Sequence, residues 1–337
     1  MLLILLGRQT GARKLTQHWV FPISSLTLYL ILLHLTITEG QLTSSIISFG
    51  GVVFGGGISI AIARTIIRKR EARYISHFKL LDVLGHGGMG RVYKALDVNT
   101  KQIVALKILN PEIVKDVDNK KRLLNEGQLL SSITHPYIVK IYEVADAAAT
   151  GFIAMEYLPG GTVKQTLESS YPLPLIEIKR ILLQVCEGLK EVHSHNIIHR
   201  DLKTGNLMFD SDRNIRIMDF GLSKSPLVTT MTSLGTVLGT LGYVAPEQIT
   251  NQNVDHRTDI FSLGVIIYEL LTNTLPFKGE NEIALIHSIF NVAPPAPSQI
   301  RSNATPDWDA LISKCIAKNI DERFQTVEQV KEAISRL

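Results

Sequence analysis

Three glycines with the spacing GxGxxG lie in the run Leu84-Gly85-His86-Gly87-Gly88-Met89-Gly90-Arg91-Val92, between two strand-like segments. The same spacing occurs in dinucleotide-binding folds, where a helix begins at the third glycine. Here a strand-like pattern continues from Gly90 to Ala95 instead. In a strand–turn–strand unit, backbone amides of such a loop can approach phosphate groups from above. The loop alone is weak evidence, but its context favours a flap over a nucleotide rather than a Rossmann site.

A lysine ends the next strand-like segment, Val104-Ala105-Leu106-Lys107. Lysines in strands usually lie at solvated edges, but the neighbours of this one are apolar. If its ammonium faces inward it needs an anion and a counter-charge, because an unpaired buried charge is costly. Phosphates are a candidate anion, and Glu126, in the helical pattern at 120–133, is a candidate counter-charge. A solvated edge lysine stays open from this segment alone.

Three more motifs follow in order along the chain. They are His199-Arg200-Asp201-Leu202-Lys203-Thr204-Gly205-Asn206, Asp219-Phe220-Gly221 and Ala245-Pro246-Glu247. Each short motif occurs by chance in many chains, but the five signatures in this order and spacing do not. Together they resemble the protein kinase family over residues 78–337. The segments GGMGRVYKA, GTLGYVAPEQ and ERFQ look most like bacterial eukaryotic-like (Hanks-type) Ser/Thr kinases.

The resemblance implies how the chemistry is divided. Phosphoryl transfer spreads negative charge over the γ-phosphate oxygens, so such an enzyme mainly positions the reactants and neutralises this charge. Asp201 would orient the substrate hydroxyl and accept its proton, and Lys203 would contact the γ-phosphate. Lys107 would hold the α- and β-phosphates while it pairs with Glu126. The implied catalytic set is therefore Asp201, Lys203, Lys107 and Glu126.

ATP and a divalent metal are the implied cofactors. Asn206 and Asp219 would bind Mg²⁺, with Mn²⁺ as an alternative, because hard cations take oxygen ligands. The implied ATP site comprises the glycine-rich loop, the residues that sandwich adenine, the gatekeeper Met155 and the hinge. Its members are Leu84, Gly85, His86, Gly87, Gly88, Met89, Gly90, Val92, Ala105, Lys107, Met155, Glu156, Leu158 and Leu207.

Further positions match structural and regulatory residues of the family. Leu130, Ile141, His199 and Phe220 match an apolar column that links the lobes, and Asp259 matches a buried anchor beneath the catalytic loop. Core filling is the alternative explanation for each of these residues. The structural and regulatory set is Phe220, Gly221, Arg200, Thr232, Thr240, Glu247, Asp259 and Arg323, in which Glu247 and Arg323 are expected to form an ion pair.

The segment 222–244 is rich in hydroxyl groups. A phosphate there would add about −1.5 to −2 charges at pH 7 and could pair with Arg200. We expect autophosphorylation at Thr232 or one of its neighbours, Thr229, Thr230 and Ser233. Thr240 is expected to bond Asp201 and Lys203 rather than carry phosphate.

Two positions depart from the family pattern. Thr204 stands directly after the catalytic Lys203, where a proline is usual. This position helps to shape the loop but binds no ligand. His86 occupies the second position of the glycine-rich loop, where we expect a solvated side chain rather than a pH sensor.

The basic charge of the chain is confined to its N-terminal part. The 337 residues carry a formal net charge of +4, yet residues 1–73 hold eight Lys or Arg residues against two Asp or Glu residues. The remainder is slightly acidic, with 27 basic and 29 acidic residues, so we expect no nucleic-acid partner. The two cysteines, Cys186 and Cys315, exclude a disulfide framework.

Two charge-free stretches of 24 residues, Leu15–Thr38 and Gly40–Ala63, are separated by one glutamate. A helix of about 20 residues crosses the roughly 30 Å core of a bilayer, so both are long enough. We predict transmembrane helices at 19–37 and 43–63, with an external turn at 38–42. Basic residues on both outer flanks place both ends in the cytoplasm. A signal peptide followed by one span is the alternative.

The predicted fold class is α+β, a bilobal kinase-like domain preceded by a two-helix transmembrane hairpin. The segments are a cytoplasmic stretch 1–18, the hairpin, a basic linker 64–77 and the kinase domain 78–337, with N-lobe 78–155, hinge 156–161 and C-lobe 162–337. Predicted strands are Phe78–Leu84, Gly90–Leu96 and Gln102–Leu109, and predicted helices are Leu175–His193 and Asp259–Leu271.

The predicted protein is a Ser/Thr protein kinase of the cell membrane, with its kinase domain in the cytoplasm. Its expected partners are proteins with Ser or Thr acceptors and the lipid bilayer. A homodimer through the kinase domain or the membrane helices is a further hypothesis, since Gly51 and Gly55 form a GxxxG pair. The alternatives are a pseudokinase scaffold, disfavoured because every catalytic residue is present, and a small-molecule phosphotransferase, disfavoured by the hydroxyl-rich loop.

Overall fold

The computed structural model describes residues 74–337 except 88–89, 111–116, 148–149, 221–236 and 253. The chain divides into two compact units, residues 1–75 and 76–337. Both predicted transmembrane helices, at 19–37 and 43–63, lie outside the described residues. In the part of the chain that is described, every helix is too short or too polar to span a bilayer.

The first six strands of the described chain are β1 (Tyr74–Ile75), β2 (Phe78–Gly87), β3 (Gly90–Asp97), β4 (Ile103–Leu109), β5 (Ile141–Ala147) and β6 (Thr150–Glu156). The second unit begins with an antiparallel sheet, in which its strands lie in the order β2-β3-β4-β6-β5. The three predicted strands are therefore confirmed, with small differences at their ends. Helix α1 (Val117–Ser131) packs on this sheet, and Gly127 allows the contact, since a Cβ there would lie 3.3 Å from Val144.

The rest of the unit is mostly helical. Its helices in the described residues are α2 (Val163–Ser170), α3 (Leu175–Ser194), α4 (Val237–Leu241), α5 (Pro246–Thr250), α6 (Arg257–Thr272), α7 (Glu282–Asn291), α8 (Pro297–Ile300), α9 (Pro306–Cys315) and α10 (Val327–Arg336). A short antiparallel hairpin, β7 (Leu207–Phe209) and β8 (Ile215–Ile217), lies between α3 and α4 in the sequence. The connection between the two halves runs from the end of β6 at Glu156 to Thr162, whose hydroxyl caps α2.

Helices α3 and α6 form the centre of the helical half, and both confirm the sequence prediction. Apolar residues recur along α3 at the three- and four-residue spacing of one helix face, which is the buried face. Helix α6 is apolar on nearly every side and buried along nearly its whole length. Gly264 lets α6 approach α9 closely, because a Cβ at this position would lie 2.5 Å from the Cβ of Cys315. This buried helix therefore packs closely against α9, which follows it in sequence.

Candidate active site

The loop His199–Asn206 rests on a carboxylate of helix α6. Asp259 is completely buried and accepts hydrogen bonds from the backbone N–H groups of His199 (2.8 Å) and Arg200 (2.9 Å). His193 on α3 donates a third bond from Nε2 at 2.8 Å. Burial alone would raise the pKa of Asp259, but the bond and charge of His193 and the other donors bring it below its ordinary value. The carboxylate is therefore ionised and can hold Arg200 at its left-handed φ of 62°.

Asp201, Lys203 and Asn206 converge in this loop. The Lys203 Nζ donates to Asp201 Oδ2 at 2.9 Å, and the Asn206 Nδ2 donates to the same oxygen at 3.1 Å. Asn206 also donates to the backbone carbonyl of Asp201 at 2.8 Å, which fixes its amide group. Lys203 lies 3.4 Å from the hydroxyl of Thr240, so the predicted contact between these two residues is present. The loop thus holds one carboxylate oriented by two donors.

Lys107 is an inward-facing lysine. It lies on β4, only 6% of its surface is exposed, and its Nζ donates to Asp219 Oδ1 at 2.7 Å. Asp219 follows β8 and has a φ of 48°, in the left-handed region that non-glycine residues seldom adopt. The solvated-edge interpretation of Lys107 is therefore wrong, and among the described side chains Asp219 supplies a counter-charge. Glu126 lies on α1, but its side chain is outside the described part, so its pairing with Lys107 stays a prediction.

The predicted adenine site brings together apolar residues from both halves. Ala105 on β4 and Met155 on β6 are direct neighbours in the sheet and are both buried. Leu207 on β7 and Leu158 after β6 are buried in the same apolar cluster, and Val92 on β3 packs against it. Leu84 is 45% exposed. The predicted adenine slot would therefore be lined by apolar residues of one cluster, with Leu84 exposed to solvent.

The glycine-rich loop is partly described. Gly85 and Gly87 end β2 and have open space where a side chain would lie, so a phosphate chain could approach their backbone. Gly90 requires glycine for a different reason: its φ is 153°, and a Cβ would lie 1.9 Å from the carbonyl oxygen of Ile108. His86 is exposed, as expected for a solvated loop side chain. Gly88 and Met89 lie outside the described residues.

The rings of His199 and Phe220 are in contact, with centroids 4.6 Å apart and an angle of 43° between their planes. The Nε2 of His199 donates to the carbonyl of Met218 at 2.9 Å, which connects the catalytic loop to the segment that carries Asp219. Burial lowers the pKa of His199 more than the nearby carboxylates raise it, so the ring is neutral near pH 7. Leu130 is buried, whereas Ile141 is half-buried. Gly221 and Thr232 lie outside the described residues.

Glu247 and Arg323 form the predicted ion pair. Arg323 Nη1 lies 2.7 Å from Glu247 Oε1, and Nη2 lies 2.8 Å from Oε2, a bidentate geometry. The Arg323 side chain is completely buried and also donates from Nε to the carbonyl of Ala317 at 2.8 Å. This pair joins helix α5 to the segment before α10.

One buried network was missed from the sequence. Thr204 is completely buried, and its hydroxyl lies 3.1 Å from the hydroxyl of Tyr243, which donates to Glu269 Oε2 on α6 at 2.5 Å. Burial raises the pKa of the Glu269 carboxyl and of the Tyr243 hydroxyl. Both groups therefore keep their protons to a higher pH than they would in water. Thr204 therefore does more than replace a proline. It joins the catalytic loop to α6 through the segment that follows α4. Its departure from the family pattern was the only sequence signal.

The donor set at this site fits a hard divalent cation. Asp219 offers a carboxylate whose side chain is 39% exposed, and Asn206 offers an amide oxygen on a side chain held by Asp201. Within the described ranges no group of three or more His, Cys, Asp and Glu side chains forms a preassembled metal site. A cation here would therefore complete its coordination with other oxygens, as Mg²⁺ commonly does with phosphates and water.

Comparison with known proteins agrees with this geometry. Residues 78–334 match the family model described as protein kinase domain. Serine/threonine-protein kinase PknB of Mycolicibacterium smegmatis is 33% identical over 266 residues, which cover 77% of this chain and 43% of that protein. Serine/threonine-protein kinase PrkC of Bacillus subtilis is 32% identical over 262 residues, 78% of this chain and 40% of that protein. The match thus spans less than half the length of these curated relatives.

A solved structure shows the same fold. The kinase domain of Mycobacterium tuberculosis PknI superposes with a TM-score of 0.63 at 24% identity, covering 78% of this chain and 97% of that one. Three observations agree on the family of this chain. They are the order of the motifs, their convergence around Asp201 and Asp219, and the match to the family model over most of the chain. The chain belongs to the protein kinase family, in its bacterial Hanks-type Ser/Thr branch.

Proposed function

We propose that this chain transfers the γ-phosphate of ATP to Ser and Thr hydroxyls of proteins. The observation that carries the proposal is the convergence of Lys203 and Asn206 on one oxygen of Asp201, beside the Lys107–Asp219 pair. The relatives named as serine/threonine-protein kinases support the choice of acceptor.

The chain's own residues would each do one part of this reaction. Asp201 orients the acceptor hydroxyl and takes its proton while that oxygen attacks the γ-phosphorus and ADP leaves. Lys203, already beside Asp201, neutralises charge on the transferred group. When ATP binds, Lys107 would leave Asp219 and contact the α- and β-phosphates instead. Asn206 and Asp219 would hold Mg²⁺ or Mn²⁺, which would supply positive charge to the phosphate oxygens.

We propose further that the segment 222–244 is an autophosphorylated activation loop, with Thr232 or a neighbouring hydroxyl as acceptor. Arg200 supports this, because its Nε is buried with no hydrogen-bond partner among the described residues. A buried guanidinium nitrogen in that state is a ready donor to a phosphate oxygen.

Labelled ATP tests both proposals on the full-length chain. With Mg²⁺ present, we expect transfer to Ser and Thr of a protein acceptor and no transfer to small-molecule alcohols or sugars. Phosphopeptide mapping of the active protein should place label within residues 222–244. Transfer to small molecules alone contradicts the protein kinase proposal, and active protein without label in that segment contradicts the loop proposal.

We also propose that residues 19–37 and 43–63 anchor the chain in the cell membrane, with the kinase domain in the cytoplasm. The proposal depends on the two charge-free stretches and the basic flanks. The anchored chain should stay in membranes washed with alkaline carbonate, and protease added to intact cells should leave the kinase domain uncut. Release by the wash contradicts the anchor.

A dimer through Gly51 and Gly55 is a further part of this proposal. Crosslinking that yields only monomers contradicts the dimer.

A further inference from the structure

Arg216 on β8 contacts the turn of its own hairpin and two other segments of the chain. Its Nη2 lies 3.5 Å from Glu156 Oε1 and 3.3 Å from Asp210 Oδ2, while its Nη1 donates to the carbonyl of Pro136. These contacts join the β7–β8 hairpin to the end of β6 and to the loop before β5. No motif of the sequence pointed to this residue.

Glu156 is the first residue of the predicted hinge and the last residue of β6, where it pairs with Val104 of β4. Its backbone N–H donates to the carbonyl of Lys140 at 2.8 Å. Its carboxylate accepts from the N–H of Lys140 at 3.4 Å and faces Arg216 with the other oxygen. Arg216 is thus the cation that holds this side chain toward the helical half.

The β7–β8 hairpin, which carries Arg216, also leads into residues of the predicted adenine site and of the predicted metal site. Leu207, one of the residues predicted to sandwich adenine, begins β7 directly after Asn206, and Asp219 follows β8. The N–H of Met218 donates to the carbonyl of Asn206 at 2.9 Å, which closes the end of the hairpin. Backbone bonds between Phe209 and residues 160–161 tie this hairpin to the end of the hinge, and the contact of Arg216 with Glu156 ties it to the start.

We propose that Arg216 is a positioning residue for the nucleotide, which holds the hinge at Glu156 in register with Leu207 and so sets the width of the adenine slot. The proposal rests on the proposed ATP site. Arg216 acts through Glu156, which is itself a member of the predicted ATP site. Arginine suits this role because one planar guanidinium can serve two carboxylates and a carbonyl at once.

The expected effect is selective for the base. In the full-length chain, Arg216→Gln should raise the KM for ATP about five- to tenfold and leave kcat within about twofold, the size of one lost charge-assisted contact. The dissociation constant of adenosine, which has a base but no phosphates, should rise by the same factor. Arg216→Lys should recover part of the affinity, since an ammonium can serve one carboxylate.

Glu156→Gln and the double variant extend the test. Each single variant should weaken adenosine binding alike, and the double variant should be no weaker than either, because both changes remove the same contact. Arg213→Gln is the matched control: this arginine lies in the turn of the same hairpin, with its guanidinium carbon 4.0 Å from the centre of the Phe209 ring. It should bind adenosine like the wild type.

Several results would overturn the proposal. Unchanged adenosine binding in Arg216→Gln, an equal loss in Arg213→Gln, or additive losses in the double variant each contradict it. So does a fall in kcat with an unchanged KM. Adenosine binding is measured without phosphate transfer, so wild-type protein that binds adenosine but transfers nothing refutes the proposed function and leaves this test intact.

Discussion

Asp201→Asn is expected to lower phosphate transfer by about a thousandfold or more while nucleotide binding stays intact. Asparagine has nearly the same shape and can still accept bonds from Lys203 and Asn206, but its amide cannot take a proton at neutral pH. The loss of a general base typically costs 10²- to 10⁴-fold, and here the same oxygen also orients the acceptor. Initial rates with labelled ATP and a protein acceptor measure the effect.

The control separates chemistry from charge. Asp212→Asn makes the same substitution at an exposed residue in the turn of the β7–β8 hairpin, and it should keep wild-type rates. ADP affinity, measured by calorimetry on both variants, should match the wild type within about twofold. If Asp201→Asn keeps a tenth of the activity, Asp201 is not the base of the reaction.

Glu247→Ala is expected to destabilise the kinase domain by about 3–5 kcal/mol, because it leaves the guanidinium of Arg323 buried without a carboxylate. The remaining carbonyl acceptors around Arg323 offer no negative charge. The midpoint of urea unfolding, followed by circular dichroism, measures the change. Glu332→Ala is the matched control, since its pair with Arg336 is exposed (3.8 Å), and it should change stability by less than about 0.5 kcal/mol. Equal shifts in both variants would show that burial of Arg323 carries no energetic weight.

The same pair predicts a pH dependence of stability. Burial alone would raise the pKa of Glu247, but bonds from Arg323 and Thr258 and the charge of Arg323 bring it below the ordinary 4.5. A carboxyl with a lowered folded pKa stabilises fully above the unfolded pKa, and that contribution is lost as pH falls through the folded pKa. Below about pH 4.5, wild-type stability should therefore fall more steeply than that of Glu247→Gln.

The sequence predicted those parts of the site that depend on local pattern or on motif. The strand at Gly90 and the helices at Leu175 and Asp259 follow from periodicity, and Asp201, Asn206 and Asp219 follow from their motifs. Strand β2 continues three residues beyond the predicted end at Leu84, because Gly87 pairs with Gly90 across the hairpin. Local periodicity carries no information on such a ladder contact.

Contacts between distant segments could not be predicted in this way. Lys107 meets Asp219, 112 residues away in sequence, and Arg216 meets Glu156 only because the hairpin docks beneath the hinge. Such pairs depend on the docking of whole elements rather than on spacing along the chain. The Thr204–Tyr243 contact is of the same kind, and a threonine in place of a proline does not indicate its partner.

The three bonds to Asp259 have a consequence for how the molecule opens. Surface loops usually exchange their amide hydrogens through small local openings, whereas core amides exchange only when a large cooperative unit unfolds. The N–H groups of His199 and Arg200 are bonded to a carboxylate on α6, which belongs to the core. The catalytic loop therefore shares the opening free energy of the innermost helix, and its amides should be among the slowest to exchange outside regular secondary structure.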